Sequence, residues 1–156
     1  MAAASPSPAG PASIAELLES TTRALVEELD VAACAISRVV GDLLVDIVGY
    51  SRDRERLFLG YGYLVSDYPL TQEVLERRVP RSLTLSDASA DAGEARVLRD
   101  LGFQSLLMLP LVCRGTAWAL VEAYAKRRRK FGPRDLAAAE EILRAAGSEL
   151  ERLTTS

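Results

Sequence analysis

Two apolar runs in the second half of the chain form its clearest hydrophobic pattern. Residues 105–112 are almost entirely apolar and too few for an ordinary helix, and residues 117–125 form a second run of the same kind. A Cys-Arg-Gly sequence, typical of a turn, follows the first run. The pattern predicts a β-hairpin with both faces covered, because neither run alternates between apolar and polar positions. Pro110 cannot donate to a neighbouring strand, so we expect it near a strand end or a bulge.

The rest of the chain divides into shorter strands and helices. Runs rich in β-branched and aromatic residues, bounded by turn residues, predict strands at 31–38, 43–50, 57–65 and 82–85. Apolar positions at helical spacing predict helices at 14–29, 71–78, 93–101 and from residue 133 onward. Ser13 is the expected N-cap of the first helix, and Glu16 three residues later completes a capping-box pattern.

The last predicted helix repeats its apolar residues every seven positions. This seam consists of Leu136, Leu143 and Leu150, with Ala139, Ala146 and Leu153 at the matching second positions. The sheet could bury the seam within the domain. Alternatively, the helix at 136–153 and the apolar stripe of the helix at 14–29 form a four-helix interface in a twofold homodimer.

Length and composition indicate one soluble domain. A chain of 156 residues, 49% of them hydrophobic, can bury one core. Residues 1–13 are nearly all Ala, Ser, Pro and Gly, which predicts a disordered tail or linker, and residues 14–153 are assigned to a single domain. No apolar run is long enough to span a bilayer, and no signal peptide is visible, so no membrane association and a cytoplasmic location are expected.

The net charge of -3 argues against broad binding to nucleic acids, which are not expected as partners. One dense basic cluster occupies residues 126–130. It is interpreted either as a solvated loop or as a patch for phosphate or an acidic partner, and the sequence does not decide between them.

The absence of histidine removes many catalytic and metal-binding arrangements. No Ser-His-Asp or Cys-His system, His-ligated zinc or proximal-His haem can form within this chain. Cys34 and Cys113 lack the spacing of a redox or metal motif and are predicted to be structural. Asp87 and Glu122 could in principle pair for acid–base chemistry, but nothing in the spacing fixes their separation. The chain is therefore not predicted to be an enzyme.

The order of elements resembles the GAF domain. The matching features are an apolar-Pro-Leu segment at 107–112, Gly115, an apolar-Glu-x-Tyr segment at 119–124, Phe131, and Asp135 followed by Leu136. The resemblance implies an α+β fold with a central antiparallel sheet of five or six strands. It places the N- and C-terminal helices on one face, and short helices and loops around a small-molecule pocket on the other. It also implies a regulatory role, usually within a larger signalling protein.

The sequence departs from the better-defined subgroups of that family. Phe131 and Asp135 fit the cyclic-nucleotide signature, but its Asn is missing and Leu136 replaces its final Glu. Bilin-binding relatives attach the chromophore through a Cys followed by His, whereas Arg114 follows Cys113 here. Haem-binding relatives use a His that this chain lacks. Cyclic nucleotides, covalent bilins and haem are therefore not expected, and the cofactor, if there is one, stays unknown.

A sensory domain binding an uncharged or weakly charged organic ligand is the predicted function. Aromatic walls with a few polar groups are typical of such sites. The candidate pocket residues are Tyr61, Tyr63, Asp87, Gln104, Met108, Trp118 and Glu122. Period-two alternation places Glu122 on the strand face of Trp118, where it contacts the ligand or pairs with an arginine. The bound state would pass through dimerised terminal helices to an output domain or signalling partner. The alternative is a ligand-free dimerisation or protein-interaction module.

Overall fold

A curled antiparallel sheet is the centre of the fold. The structure, a computed structural model, describes residues 10–53, 62–87 and 91–155. In chain order these contain α1 (Ile14–Leu29), β1 (Ala33–Val40), β2 (Leu43–Ser51), β3 (Gly62–Leu64), a 3-10 turn (Val65–Asp67), α2 (Pro69–Arg77), β4 (Arg81–Thr84), α3 (Ala92–Asp100), β5 (Ser105–Cys113), β6 (Thr116–Ala125) and α4 (Pro133–Thr154). The six strands lie in the order β3-β2-β1-β6-β5-β4 with every neighbour antiparallel. The predicted α+β class and both predicted hairpins are confirmed, while residues 57–61 of the predicted third strand lie outside the described residues.

The terminal helices cover one face of the sheet, here called the helical face. Helix α1 packs against β1 and β2, helix α4 packs against β5, and the two helices contact each other. The seam of α4 faces inward: Leu143 and Leu150 are buried in the same apolar core as Leu25 of α1 and Val121 of β6. Leu143 and Leu150 are therefore buried within the domain, as the first alternative predicted, whereas Leu136 and Leu153 are only partly buried.

Helices α2 and α3 cover the opposite face, here called the pocket face. A second apolar core on this face includes Val74 of α2, Leu98 of α3 and Leu106 of β5. The central strands contribute to both cores, because successive side chains of a strand point to opposite sides. In β6, for example, Leu120 lies on the pocket face and Val121 on the helical face.

Two bulges break this alternation. In β2, Val48 pairs with Ile36 and Asp46 pairs with Ser37, so Ile47 is the extra residue. In β6, Ala117 pairs with Val112 of β5 and Ala119 pairs with the adjacent Leu111, so Trp118 is the extra residue there. A bulge shifts the register by one and moves the following side chains to the other face.

The bulge in β6 overturns one prediction about faces. Trp118 does not share the face of Glu122: it packs against the helical-face core. The Arg38 guanidinium lies 4.3 Å from the centre of its indole ring and donates to the Trp118 carbonyl at 2.8 Å. The prediction was wrong because it extended strict alternation through the bulge. Pro110 lies one residue before the same bulge, as predicted, and beyond the part of β5 that pairs with β4.

Side chains fasten both ends of the α1–α4 pair. The Arg129 guanidinium donates to the carbonyls of Leu29 and Asp30 at the end of α1, and to the Asp135 carboxylate at the start of α4 at 2.9 Å. At the other end, Arg152 donates to the Pro11 carbonyl at 2.9 Å. A cationic group near the last carbonyls of a helix is attracted by the partial negative charge of that helix end, which stabilises the helix. The two helices are therefore antiparallel and held at each end.

The basic cluster at 126–130 thus has at least two structural members. Arg129 fastens α1 to α4, and Lys126 pairs with the Asp53 carboxylate. Arg127, Arg128 and Lys130 are exposed. The Ser13 cap is also confirmed: its hydroxyl oxygen accepts from the Glu16 backbone N–H at 3.1 Å, although the Glu16 carboxylate accepts from Ala12 instead of Ser13.

A candidate ligand site on the pocket face

A small cavity lies between the pocket face of the sheet and helices α2 and α3. Its volume is about 70 Å³. Half of its lining residues have aliphatic or thioether side chains, including Leu44, Leu106, Met108 and Leu120. The other half carries polar groups: Ser37, Asp46, Tyr63, Tyr68, Thr71, Glu94, Glu122 and Tyr124. A concave apolar wall with convergent polar groups is the usual form of a small-molecule site.

Glu122 occupies the middle of this wall. It lies in β6 between its register partners Ala35 of β1 and Met108 of β5. Burial raises the pKa of Glu122 to about 7, and the negative charges of Asp46 and Glu94 contribute to the rise. A hydrogen bond with the Tyr124 side chain acts in the opposite direction. Burial therefore favours the neutral form of this carboxyl well above the pH at which an exposed glutamate ionises.

Asp46 reaches the cavity from β2. The bulge at Ile47 leaves Leu44 and Asp46 on the pocket face while Val48 moves to the helical face. The Ser37 hydroxyl of β1 donates a hydrogen bond to the Asp46 carboxylate. Burial raises the pKa of Asp46, and the bond from Ser37 lowers it in part.

Glu94 enters from α3 and holds the start of α2. Its Oε1 accepts from the Thr71 backbone N–H at 2.9 Å, which satisfies one of the donors that a helix leaves free at its first turn. Glu94 is only 5% exposed, yet its Oε2 has no hydrogen-bond partner among the residues that the structure describes. Burial is the largest cause of its raised pKa. One oxygen of this carboxylate therefore serves the fold, and the other is an unused acceptor at the cavity.

The tyrosines form an aromatic rim. Tyr63 of β3 and Tyr68, just before α2, meet edge to face with ring centres 6.2 Å apart. Tyr124 stacks on Phe103 at 4.9 Å. Among the described residues that line the cavity, none is Lys or Arg. The alternative in which Glu122 pairs with an arginine therefore has no candidate among the described residues of that wall.

The structure brings together some of the predicted site residues. Tyr63, Met108 and Glu122 line the cavity, whereas Trp118 lies on the helical face. Asp87 lines a separate, more open depression together with Asp91. The backbone N–H of Gln104 donates to Ala125 at 2.9 Å where β5 begins, and the residue is absent from the cavity wall. Tyr61 lies outside the described residues.

Sequence reasoning missed Asp46, Glu94 and Tyr68. Asp46 interrupts an apolar strand run just as Glu122 does, so the argument applied to Glu122 would have found it. Glu94 precedes Leu98 by four positions and Leu101 by seven, which places it on the inward face of a short helix. Tyr68 precedes the proline that begins α2 and carried no comparable signal.

Both cysteines lie away from the cavity. Cys34 and Cys113 are free and buried in the helical-face core. Burial raises the pKa of the Cys34 thiol, as expected for a structural cysteine. No helix in the described ranges is long and apolar enough to cross a membrane.

Comparison with known proteins adds the family. No curated protein sequence matches the chain. Among solved structures, the phycoerythrobilin-bound GAF domain of a cyanobacterial phytochrome superposes with a TM-score of 0.78 at 17% identity, covering 90% of this chain and 86% of that one. The blue-light absorbing form of the Thermosynechococcus elongatus PixJ GAF domain gives 0.76 at 14% identity, covering 88% and 84%. The chromophore-binding domain of a Stigmatella aurantiaca bacteriophytochrome gives 0.76 at 17%, covering 90% and 55%. At these identities the likeness shows a shared fold.

The sequence gives the family directly. The family model of the GAF domain matches residues 13–150, and the chain therefore belongs to the GAF domain family.

Proposed function

We propose that this chain is a non-catalytic sensory domain that binds a small organic ligand in the pocket-face cavity and passes the bound state to α1 and α4. The observation that carries the proposal is the cavity itself, in which partly and fully buried polar groups converge between apolar walls. Buried polar groups are costly without partners, so a cavity that keeps them is better explained by a ligand than by packing alone.

Strand β6 offers a direct route from the cavity to the terminal helices. Leu120 and Tyr124 face the cavity, while the intervening Val121 and Ala123 belong to the core beneath α1 and α4. A ligand that displaces β6 would therefore disturb both faces of one rigid element. To bias the helices, it must favour one of two arrangements by differential contacts.

A covalently attached bilin does not fit the described residues. Both thiols of the chain lie in the helical-face core. The cavity of about 70 Å³ is also far smaller than the roughly 300–1,000 Å³ of drug-sized sites. The ligands of the phytochrome structures are therefore not carried over to this chain.

Native mass spectrometry of the purified full chain tests ligand binding. We expect a small additional mass that disappears on denaturation. Ala35→Met places a longer side chain into the cavity wall and should abolish the additional mass. Ala145→Met makes the same change at an exposed position of α4 and should retain it.

An additional mass that persists in Ala35→Met would place the ligand elsewhere and contradict the assignment of the cavity. A parent protein that carries no additional mass would favour the alternative, a ligand-free interaction module. Circular dichroism of both variants establishes that each is folded.

The homodimer and the output partner remain proposals of the same kind. Their support is the adjacency of α1 and α4 on one face, where a second copy could pack. The central seam leucines are buried within the domain, so such a dimer would have to use the outward, largely charged positions of both helices. That burial makes the ligand-free dimerisation module the weaker of the two functions.

A further inference from the structure

We propose that the buried part of the ligand is a small organic ammonium ion, held by the carboxylates of Asp46, Glu94 and Glu122. This inference rests on the proposed function and narrows it to a chemical class. It differs from the sequence-based prediction of an uncharged or weakly charged ligand, because the structure adds the carboxyls of Asp46 and Glu94 to that of Glu122 in one cavity.

The unused acceptor of Glu94 is the first argument. Within the described ranges its buried Oε2 has no hydrogen-bond partner, although Oε1 accepts from Thr71. Leaving a buried charged group without a hydrogen bond costs free energy. An ionised carboxylate can only accept hydrogen bonds, so the missing partner of Oε2 is a donor. A ligand that supplies an N–H at this point would remove the deficit.

The charge balance of the cavity is the second argument. Three carboxyls line it, and among the described lining residues no Lys or Arg offsets them. The described groups that donate to Asp46 and Glu94 are neutral: a hydroxyl for Asp46, and for Glu94 the Thr71 hydroxyl with the backbone amides of Thr71 and Leu70. An anionic ligand would add to the repulsion, whereas a cation would be attracted by all three groups.

The arrangement favours an organic cation over a metal ion. No group of three or more acidic, Cys or His side chains in the described ranges is placed to hold a metal. An ammonium group with several N–H donors can satisfy carboxylates that stand too far apart to share one metal. The tyrosine rim and the aliphatic wall suit the apolar body of such a ligand, and aromatic faces attract ammonium ions.

The size of the cavity limits the enclosed group. At about 70 Å³ it is smaller than the roughly 150 Å³ cavity that accepts benzene. The enclosed part is therefore about an ammonium group with its nearest carbons. A branched alkylammonium of four carbons supplies that part and leaves an apolar end to contact the tyrosine rim. Isobutylammonium, isobutanol and isobutyrate share one carbon skeleton and differ in charge, so the three together separate charge recognition from apolar burial.

The experiment titrates each probe into the full-length, ¹⁵N-labelled chain at pH 8 and follows amide chemical shifts. We expect saturable shifts for isobutylammonium at residues around the cavity. Isobutanol should bind at least about tenfold more weakly, because it cannot form the charge-assisted bonds, and isobutyrate should not bind.

Glu94→Gln is the matched variant. It keeps the oxygen that accepts from Thr71 and replaces the unused acceptor by an NH₂ donor, so ammonium affinity should fall about tenfold. Glu19→Gln makes the same change on exposed α1 and should leave affinity unchanged. Asp46→Asn provides a second cavity variant if Glu94→Gln does not fold, and it too should weaken binding.

Several outcomes would overturn the proposal. They are equal or tighter binding of isobutanol or isobutyrate, no saturable binding of isobutylammonium, or unchanged ammonium affinity in a folded cavity variant. If isobutanol alone binds in the cavity, the ammonium class fails while a ligand-binding domain survives. Native mass spectrometry of Ala35→Met and Ala145→Met tests independently whether the domain binds a ligand in this cavity.

Discussion

Glu122 illustrates how one residue can make a domain sensitive to pH. Its neighbours in the sheet are buried and largely apolar, so the ionised form is disfavoured and the pKa rises to about 7. In an unfolded chain the same carboxyl has an ordinary pKa near 4.5. The folded state therefore binds the proton more tightly, and this group contributes stability below pH 4.5 that is lost as pH rises through 7.

Glu122→Gln removes that titration and retains an oxygen for Tyr124. We expect the free energy of unfolding of the variant to exceed that of the parent at pH 8 by about 1–3 kcal/mol, with a smaller difference at pH 5. Asp46 and Glu94 also have raised pKa values, so the decline with pH should be reduced and not abolished. Urea unfolding at both pH values measures the effect. A parallel decline in parent and variant would show that Glu122 does not carry it.

The close contact between α4 and β5 depends on one glycine. Gly147 is buried, and a Cβ built on it would lie 2.4 Å from the Val112 carbonyl oxygen. The obstacle is backbone, so it cannot rotate away as a side chain can. At this position the absence of a side chain sets how near the helix lies to the sheet.

Gly147→Ala should therefore destabilise the domain, although alanine is the better helix former by about 1 kcal/mol. We expect a loss of about 1–3 kcal/mol, typical of overpacking. The exposed neighbouring change Ser148→Ala should be neutral or slightly stabilising. Thermal and urea unfolding of the two variants provide the comparison. An unchanged or raised midpoint in Gly147→Ala would contradict the tight approach of α4 to β5.

The sequence predicted the architecture well because the architecture rests on patterns that recur along the chain. Apolar runs and turn residues located the strands, and helical spacing located α1 and α4 nearly to the residue. The site was harder to predict because it depends on single departures from those patterns. The bulge at Trp118 moved one candidate away from the cavity, and the bulge at Ile47 separates the pocket-facing Asp46 from the helix-facing Val48. Gln104 and Asp87 were placed correctly on a strand start and a loop, yet neither reaches the cavity wall.

At the scale of the whole molecule, the seam of α4 links folding to any association of the domain. Leu143 is 6% exposed and packs in the core that joins α4, α1 and the sheet. A leucine exposed on a helix would affect only association when changed, whereas this one is part of the monomer's own core.

Leu143→Asp should therefore unfold the domain and not merely convert a dimer into monomers, because an unpaired buried charge costs several kcal/mol. Arg144→Asp changes the adjacent exposed position and should remain folded. Circular dichroism with light scattering separates loss of folding from loss of association. A folded, monomeric Leu143→Asp protein with the parent's thermal midpoint would show instead that the seam serves a dimer.

The fastening of α1 to α4 at both ends has a practical consequence for protein engineering. Because Arg152 contacts the Pro11 carbonyl, the chain enters and leaves the fold at neighbouring points, on the side away from the cavity. Host loops accept inserted domains most readily when the ends of the insert lie close together. Residues 11–154 are thus suited to insertion into a surface loop of a fluorescent protein, where a change in the distance between the two ends would change the fluorescence.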